Sequence, residues 1–367
     1  MFEFKMPSLG AEMEAGRLVE WRVKVGDHVK RGDIVAVVDT DKAAVDVEIW
    51  ESGTVDQIRV PTGGRVPIGT VLATLRSDAE EKAPSAPEKP TVRTRVSPAA
   101  KRRAQELSVS LDVLSGTGPE GSITSGDVEK AASLKRGAKP PEPAAEHKKE
   151  AMRAAIGAAM AKSKREIPHY YLATQIDLKR AIDWLSAENA KRALPDRILA
   201  PVLLFKAVAK ALGRVPELNG IWREGEFYPN QAVNIGVAIS LRGGLVAPAL
   251  HDVEKKTLSE LMRDLNDLVT RARAGSLKSS ELSDATITVT NLGDQGVETV
   301  FGVIYPPQVA LVGFGKVTEI PWVVDGSVGI RPVVRASLSA DHRVSDGHRG
   351  AVFLSTLDQI LQEPMSL

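Results

Sequence analysis

The chain has 367 residues, 48 Lys plus Arg against 47 Asp plus Glu, and no cysteine. That length exceeds a usual single domain, so two or three domains are expected, at least one with a sizeable core. The charge balance supplies no global field for nucleic acid or an anionic membrane, so neither is expected as a partner and any charged partner must meet a local patch. Without cysteine there is no disulfide, no cysteine-ligated metal and no cysteine nucleophile, a composition that suits a reducing cytoplasm. No apolar run reaches the roughly 18 residues of a membrane span, and the opening Phe2 to Met6 is strand-like with no basic-then-apolar leader. A soluble, cytoplasmic protein is the expectation.

The first 76 residues carry an internal repeat. Val23 to Val38 aligns with Val60 to Leu75 at one constant offset, matching Gly26 with Gly63, Val29 with Val66, Gly32 with Gly69 and Ala36 with Ala73. Two copies of a turn-plus-strand unit predict a small quasi-symmetric all-β domain, with glycines in the turns and aliphatics in a shared core. Between the copies, Asp39-Thr40-Asp41-Lys42-Ala43-Ala44-Val45 reads as a hairpin with Lys42 at its tip.

Residues 77–92 and 133–150 are dominated by Ala, Pro, Glu and Lys without apolar periodicity, which predicts flexible linkers. Each, stretched, would reach on the order of 45 Å, so the pieces they join are expected to move. Between them, 93–132 reads as a very small helical unit, with helices at Pro98 to Leu107 and Ser125 to Ala132. A unit of about 39 residues is near the lower limit for independent folding, which points to a partner surface. Its Gly116-Thr117-Gly118-Pro119-Glu120-Gly121 imitates a dinucleotide loop, but no strand precedes it and Pro119 interrupts it. Arg93, Arg95, Lys101, Arg102 and Arg103 form a basic cluster without interleaved aromatics, which fits an acidic protein better than nucleic acid.

From Ala151 the pattern alternates. Helices are predicted at Ala151 to Lys164, Leu199 to Leu212 and Thr257 to Ala274, and strands at His169 to Ile176, Ala232 to Ser240, Ala285 to Asn291, Val309 to Val317 and Val333 to Ala340. This predicts an α/β domain over 151–367 with neither a phosphate loop nor a metal-spaced cluster, so no metal is expected. Near its end, Asp341-His342-Arg343-Val344-Ser345-Asp346-Gly347 sets a histidine where strand gives way to helix. That residue is either a proton carrier or a surface histidine ahead of a helix capped by Ser345 or Asp346.

These motifs resemble one family from end to end. The repeat with Asp41-Lys42-Ala43 resembles the lipoyl domain of 2-oxo acid dehydrogenase complexes, a flattened β-barrel in which the tip lysine carries lipoic acid; biotin carriers set that lysine between methionines. Val96-Ser97-Pro98-Ala99-Ala100 through Gly116-Thr117-Gly118-Pro119 to Asp127-Val128 resembles their peripheral-subunit-binding domain, although Gln105 and Ser122 stand where the family often has arginines. Asp341-His342-Arg343-x-x-Asp346-Gly347, with Gly244 to Pro248, Thr288 to Gly293 and Pro306-Pro307-Gln308, resembles the dihydrolipoamide acyltransferases, whose catalytic domain has the chloramphenicol acetyltransferase fold.

The resemblance implies transfer of an acyl group between lipoate on Lys42 and coenzyme A, with acetyl favoured by Ile167-Pro168-His169-Tyr170. Moving an acyl group between thiols needs a base and an oxyanion donor. His342 is the expected base. Thr290 is the donor by resemblance, while by pattern it is one more hydroxyl of the Thr286, Thr288, Thr290 face. Asp346 either orients His342 or pairs with an arginine, for which Arg153 is the candidate. His169 and His251 either line the cleft or are structural, His28 and His147 are read as solvated, and His348 has no assigned role.

The implied partners are a thiamine-dependent 2-oxo acid or acetoin dehydrogenase (the decarboxylase) and dihydrolipoyl dehydrogenase, docking on Arg93, Lys101, Arg102 and Arg103. A homotrimer that builds a larger core is implied as well. The competing readings are a non-catalytic lipoyl-bearing scaffold and a biotin carrier.

Overall fold

A computed structural model of the chain describes residues 1–9, 13, 15–40, 44–76, 124, 126, 143–241 and 244–367. Lys42, the basic cluster from Arg93 to Arg103, the helix expected at 98–107 and all but residue 126 of the helix expected at 125–132 lie outside the described residues.

The N-terminal region forms eight strands: β1 (Phe2–Lys5), β2 (Ala15–Trp21), β3 (His28–Val29), β4 (Ile34–Asp39), β5 (Ala44–Glu48), β6 (Gly53–Ile58), β7 (Arg65–Pro67) and β8 (Val71–Arg76). One sheet runs β1-β8-β6-β3 and the other contains β5-β4-β2-β7. The repeat is visible in the backbone. β3 and β4 recur as β7 and β8, and the four matched glycines adopt φ of +94°, +90°, +91° and +81° at Gly26, Gly32, Gly63 and Gly69, a region closed to most side chains. Leu18, Val38, Val45, Val47, Leu72 and Leu75 pack between the sheets. Antiparallel β4 and β5 end with Asp39 opposite Ala44, and Lys42 falls in the sequence between them.

The second region opens with α1 (Pro143–Glu166), which begins inside the segment read as a linker. Ala, Glu and Lys are strong helix formers and proline is well placed in a first turn, so propensity carries the helix where no apolar stripe announces it. It is followed by β9 (His169–Asp177), α2 (Lys179–Ala190) and α3 (Ala200–Leu212). Next come β10 (Gly220–Arg223), β11 (Glu226–Pro229), β12 (Ile235–Val237), β13 (Ile239–Leu241), β14 (Gly244–Val246), β15 (Ala249–Leu250) and α4 (Leu258–Ala274). The chain ends through β16 (Leu277–Lys278), α5 (Ser279–Ser283), β17 (Ile287–Asn291), β18 (Ala310–Phe314), β19 (Thr318–Val324), β20 (Ser327–Asp341) and α6 (Gly347–Gln362).

The strand expected over Ala232 to Ser240 is split. β12 joins the main sheet, whereas β13 leaves it to pair with β14. The main sheet runs β15-β12-β17-β18-β20-β19, with β9 also paired to β20. β12, β17 and β18 are parallel to one another, and β20 is antiparallel to β18, β19 and β9. β12 and β18 are buried along their whole length, as their apolar runs predict, whereas β17 alternates Ile and Val with Thr and ends in half-buried Thr290 and exposed Asn291. Helices α2, α3, α4 and α6 supply Leu185, Phe205, Leu261, Phe353 and Leu357 to the core against the sheet.

α4 has the boundaries its sequence dictates. Thr257 and Glu260 form a reciprocal capping box, and Gly275 at φ +73° ends the helix. The buried charge of α3 is also accounted for: Lys206 donates to the carbonyls of Val253, Glu254 and Lys256 at 3.0, 2.8 and 2.7 Å. It thereby holds the turn before α4, and burial pushes its pKa down. Among the described residues no helix is long and apolar enough to cross a membrane, and no group of three or more His, Cys, Asp or Glu is arranged to hold a metal.

Candidate active site

The end of β20 is folded into a tight loop by its own carboxylate. Asp341, fully buried, accepts from the backbone N–H of Arg343 at 2.9 Å and from the Arg343 guanidinium at 2.7 to 3.1 Å. Its carbonyl accepts from Val344 and Ser345. A carboxylate with no exposure is tolerated only when it is paired and hydrogen-bonded in this way. The guanidinium in turn lies 4.4 Å from the ring centroid of Trp222 on β10, and Trp222 N–H donates to the carbonyl of Pro307. Gln308 receives the hydroxyl of Thr288 at 2.7 Å. The Pro306-Pro307-Gln308 string thus props the loop through Trp222 and ties that support to β17. The sequence offered no sign of the Arg343–Trp222 contact, because its partners are distant along the chain.

His342 is carried on this frame. Its N–H donates to Pro168 O at 2.9 Å, its side chain is exposed, and its ring meets the edge of Tyr170 at 5.5 Å. The Tyr170 hydroxyl is 2.9 Å from Ser345 Oγ, and burial pushes its pKa up.

Asp346 is the N-cap of α6. Its side chain accepts from Arg349 N–H at 3.0 Å, and this bond, followed by one from the His348 N–H, holds its carboxyl below the usual aspartate range. Of the two helix caps considered from sequence, Asp346 is the one used. Arg153 is exposed on α1 and has no ionic partner among the described residues.

The threonine face of β17 divides sharply. Thr286 is buried and bonded to Asn219 Oδ1 at 2.6 Å, and Thr288 is buried on Gln308. Thr290 is half-buried, and its hydroxyl has no hydrogen-bond partner among the described residues. The register also locates it. Thr290 lies opposite Gly313 on β18, which lies opposite Ser337 on β20, so His342 is two strands across and five residues along. At about 3.3 Å per residue and 4.8 Å between strands, the two are separated by roughly 20 Å within one chain. One copy therefore does not bring them together.

Among the other histidines, His169 is structural. Its Nδ1 lies 2.8 Å from Ile167 O, while Nε2 accepts from Ile304 N–H at 3.1 Å. Both nitrogens are occupied, the pattern requires a neutral ring protonated at Nδ1, and burial leads the effects that lower its pKa. The unfolded chain takes up this proton near the ordinary value of 6.5, before the folded one does. The stability it contributes is present above that pH and is lost as pH falls below it. Between about pH 7.5 and about pH 5.5, the melting temperature of the native protein is expected to fall more than that of His169→Asn. Parallel curves in a thermal scan would exclude the effect. His251 sits instead beside Asp284, Nε2 to Oδ2 3.3 Å.

A cleft of about 1330 Å³ opens beside the loop and is lined in part by Ser163, Trp222, Tyr305, Gln308, Leu277 and Arg343. Residues 141–367, more than half of the chain, match the family model of the 2-oxoacid dehydrogenases acyltransferase (catalytic domain). The chain belongs to the 2-oxoacid dehydrogenase acyltransferase family. Residues 2–75 match a model described as biotin-requiring enzyme, and residues 94–129 match an E3 binding domain.

A dihydrolipoyllysine-residue acetyltransferase component of the pyruvate dehydrogenase complex of Zymomonas mobilis subsp. mobilis is 30% identical across 100% of this chain and 99% of its own. A crystal structure of a probable dihydrolipoamide acetyltransferase from Listeria monocytogenes matches with a TM-score of 0.55 and 28% identity, over 58% of this chain and 92% of that one. The cubic core of the pyruvate dehydrogenase multienzyme complex matches with a TM-score of 0.54 and 28% identity, over 57% and 88%. The α/β region is thus an acyltransferase domain of the expected fold, preceded by a carrier-type β domain and a subunit-binding module.

Proposed function

We propose that the chain transfers an acetyl group between a lipoyl group on Lys42 and coenzyme A, as the catalytic core of a 2-oxo acid or acetoin dehydrogenase complex. The observation that carries this reading is the Asp341–Arg343–Trp222 clamp, which holds the loop of His342 while the imidazole stays exposed against the edge of Tyr170. The proposed limits are 1–76 for the lipoyl domain, 93–132 for the peripheral-subunit-binding domain and 151–367 for the acyltransferase domain, the last extended back to Pro143 by the continuous helix α1.

The hairpin between β4 and β5 fits lipoate, since its closing pair Asp39–Ala44 leaves Lys42 within a short connection. When bound, that group supplies the thiol that accepts or releases the acyl group. His342 takes the proton of the attacking coenzyme A thiol, which at a pKa near 8.5 is only a few per cent ionised at neutral pH. Thr290 donates its unengaged hydroxyl to the oxygen that gains charge on the acyl carbon. Asp346 fixes the start of α6 behind the histidine loop. Arg153 is assigned to support of the site from another copy, since it has no ionic partner among the described residues of its own.

The separation of His342 and Thr290 supports a site shared by two copies, and the closed arrangement that uses it with fewest copies above two is a homotrimer. The cubic core among the matching structures supports a larger assembly built on it. Arg93, Lys101, Arg102 and Arg103 would dock the decarboxylase or dihydrolipoyl dehydrogenase, and the cytoplasm is the compartment the cysteine-free composition favours.

Mixing tests the shared site. His342→Ala and Thr290→Ala subunits refolded together in equal amounts should recover about a quarter of native activity, because one interface in four then holds both native residues. Mixing preformed assemblies should recover none. An active monomer in sedimentation would end this reading.

A further inference from the structure

Leu277 and Lys278 of the acyltransferase domain continue the sheet of the carrier domain. β16 pairs in parallel with β5, Leu277 opposite Val45 and Lys278 opposite Asp46. Without this partner β5 is the open edge of its sheet, where unpaired N–H and C=O groups invite another strand.

The contact extends past the ladder. Glu48, 7% exposed, accepts from Ser280 Oγ at 2.5 Å and Ser280 N–H at 3.3 Å. Its own N–H donates to Ser279 Oγ at 3.2 Å, and Lys278 Nζ lies 3.7 Å from its second oxygen. Leu282 packs against both hydrophobic cores. A carboxylate is buried at such a boundary only where donors receive it, so the surface is matched to one glutamate rather than merely apolar.

We infer that this surface is the docking site by which the acyltransferase domain recognises the lipoyl domain, from the same or a second copy. The inference rests on the acyl-transfer function proposed above. Two features favour delivery over a permanent interface. A ladder of two residue pairs is too short to be stable alone, so the contact can form and release. It also stands beside the chemistry: Val45 follows directly on Ala44, which closes the lysine hairpin, and faces Leu277, which lines the same cleft as Gln308 and Arg343. Docking through β5 therefore sets the start of β5, two residues after Lys42 in sequence, beside that cleft.

The test uses the full-length lipoylated protein and reads amide exchange together with acetyl transfer from acetyl-CoA. Ser280→Asp and, separately, Glu48→Lys should speed exchange at 44–48 and 277–280 by tenfold or more, with exchange in Ala200–Leu212 unchanged as the control for folding. Both should slow acetylation of the protein's own lipoyl domain about tenfold and leave the rate with free dihydrolipoamide intact. Combining them, which restores opposite charges, should recover both readouts. Unchanged exchange at 44–48 in the single variants, or unchanged acetylation of the attached domain, would overturn the docking site. A native protein inactive on free dihydrolipoamide would instead overturn the acyl-transfer reading, while exchange would still judge the contact.

Discussion

His342→Ala is expected to lower kcat by roughly 10² or more while leaving KM and the melting temperature close to native. The clamp that shapes the loop does not use the imidazole. Asp341 and Arg343 bond to each other, and the His342 backbone is held by Pro168. Removing an exposed ring therefore leaves the loop standing, apart from one edge contact with Tyr170.

The pH profile separates a base from a binding group. A base is lost when it is protonated, so native kcat should fall on the acid side. The residual activity of the alanine variant should lack that limb. Steady-state rates with acetyl-CoA and free dihydrolipoamide measure both quantities. An acid limb that survives in His342→Ala would assign the proton transfer to another group.

The residues that identify the site were legible in the sequence because each is fixed by local constraints. The glycine pairs had to recur at one spacing, since each pair serves the same left-handed turn in a duplicated unit. α4 was bounded by Thr257, Glu260 and Gly275, which act within their own turns. What sequence left unread depends on distant partners or on balance between weak terms. The role of Asp341 becomes visible only when Arg343 is seen against Trp222, about 120 residues earlier. Thr286, Thr288 and Thr290 look equivalent in sequence, and Asn219 and Gln308 tell the two buried hydroxyls from that of Thr290, which has no partner among the described residues. His169 is excluded as a base by a bond from Ile304 that no motif announces. β19 and the first half of β20 were not anticipated, because Pro321 and Pro332 interrupt a ribbon whose apolar Val323, Val328 and Ile330 are exposed.

Lys42→Ala should abolish turnover of the assembled dehydrogenase complex and leave acetyl transfer to free dihydrolipoamide unchanged. The two halves of this expectation follow from the separation of the cores. The carrier domain closes its own core around Leu18, Val38 and Leu72, and the acyltransferase domain closes another around Phe205, Phe314 and Phe353. Lys42 falls in the sequence between β4 and β5 and belongs to neither core, so truncating it should remove the proposed attachment point and leave both cores as they are. With no cysteine in the chain, no side chain can replace the missing thiol. The loss should therefore be complete rather than partial. Intact mass measured after expression with a lipoate ligase should show one lipoyl adduct on the native chain and none on the variant. If Lys42→Ala also lost the reaction with free dihydrolipoamide, the lysine would have to act within the acyltransferase site itself, and a purely carrying role would be excluded.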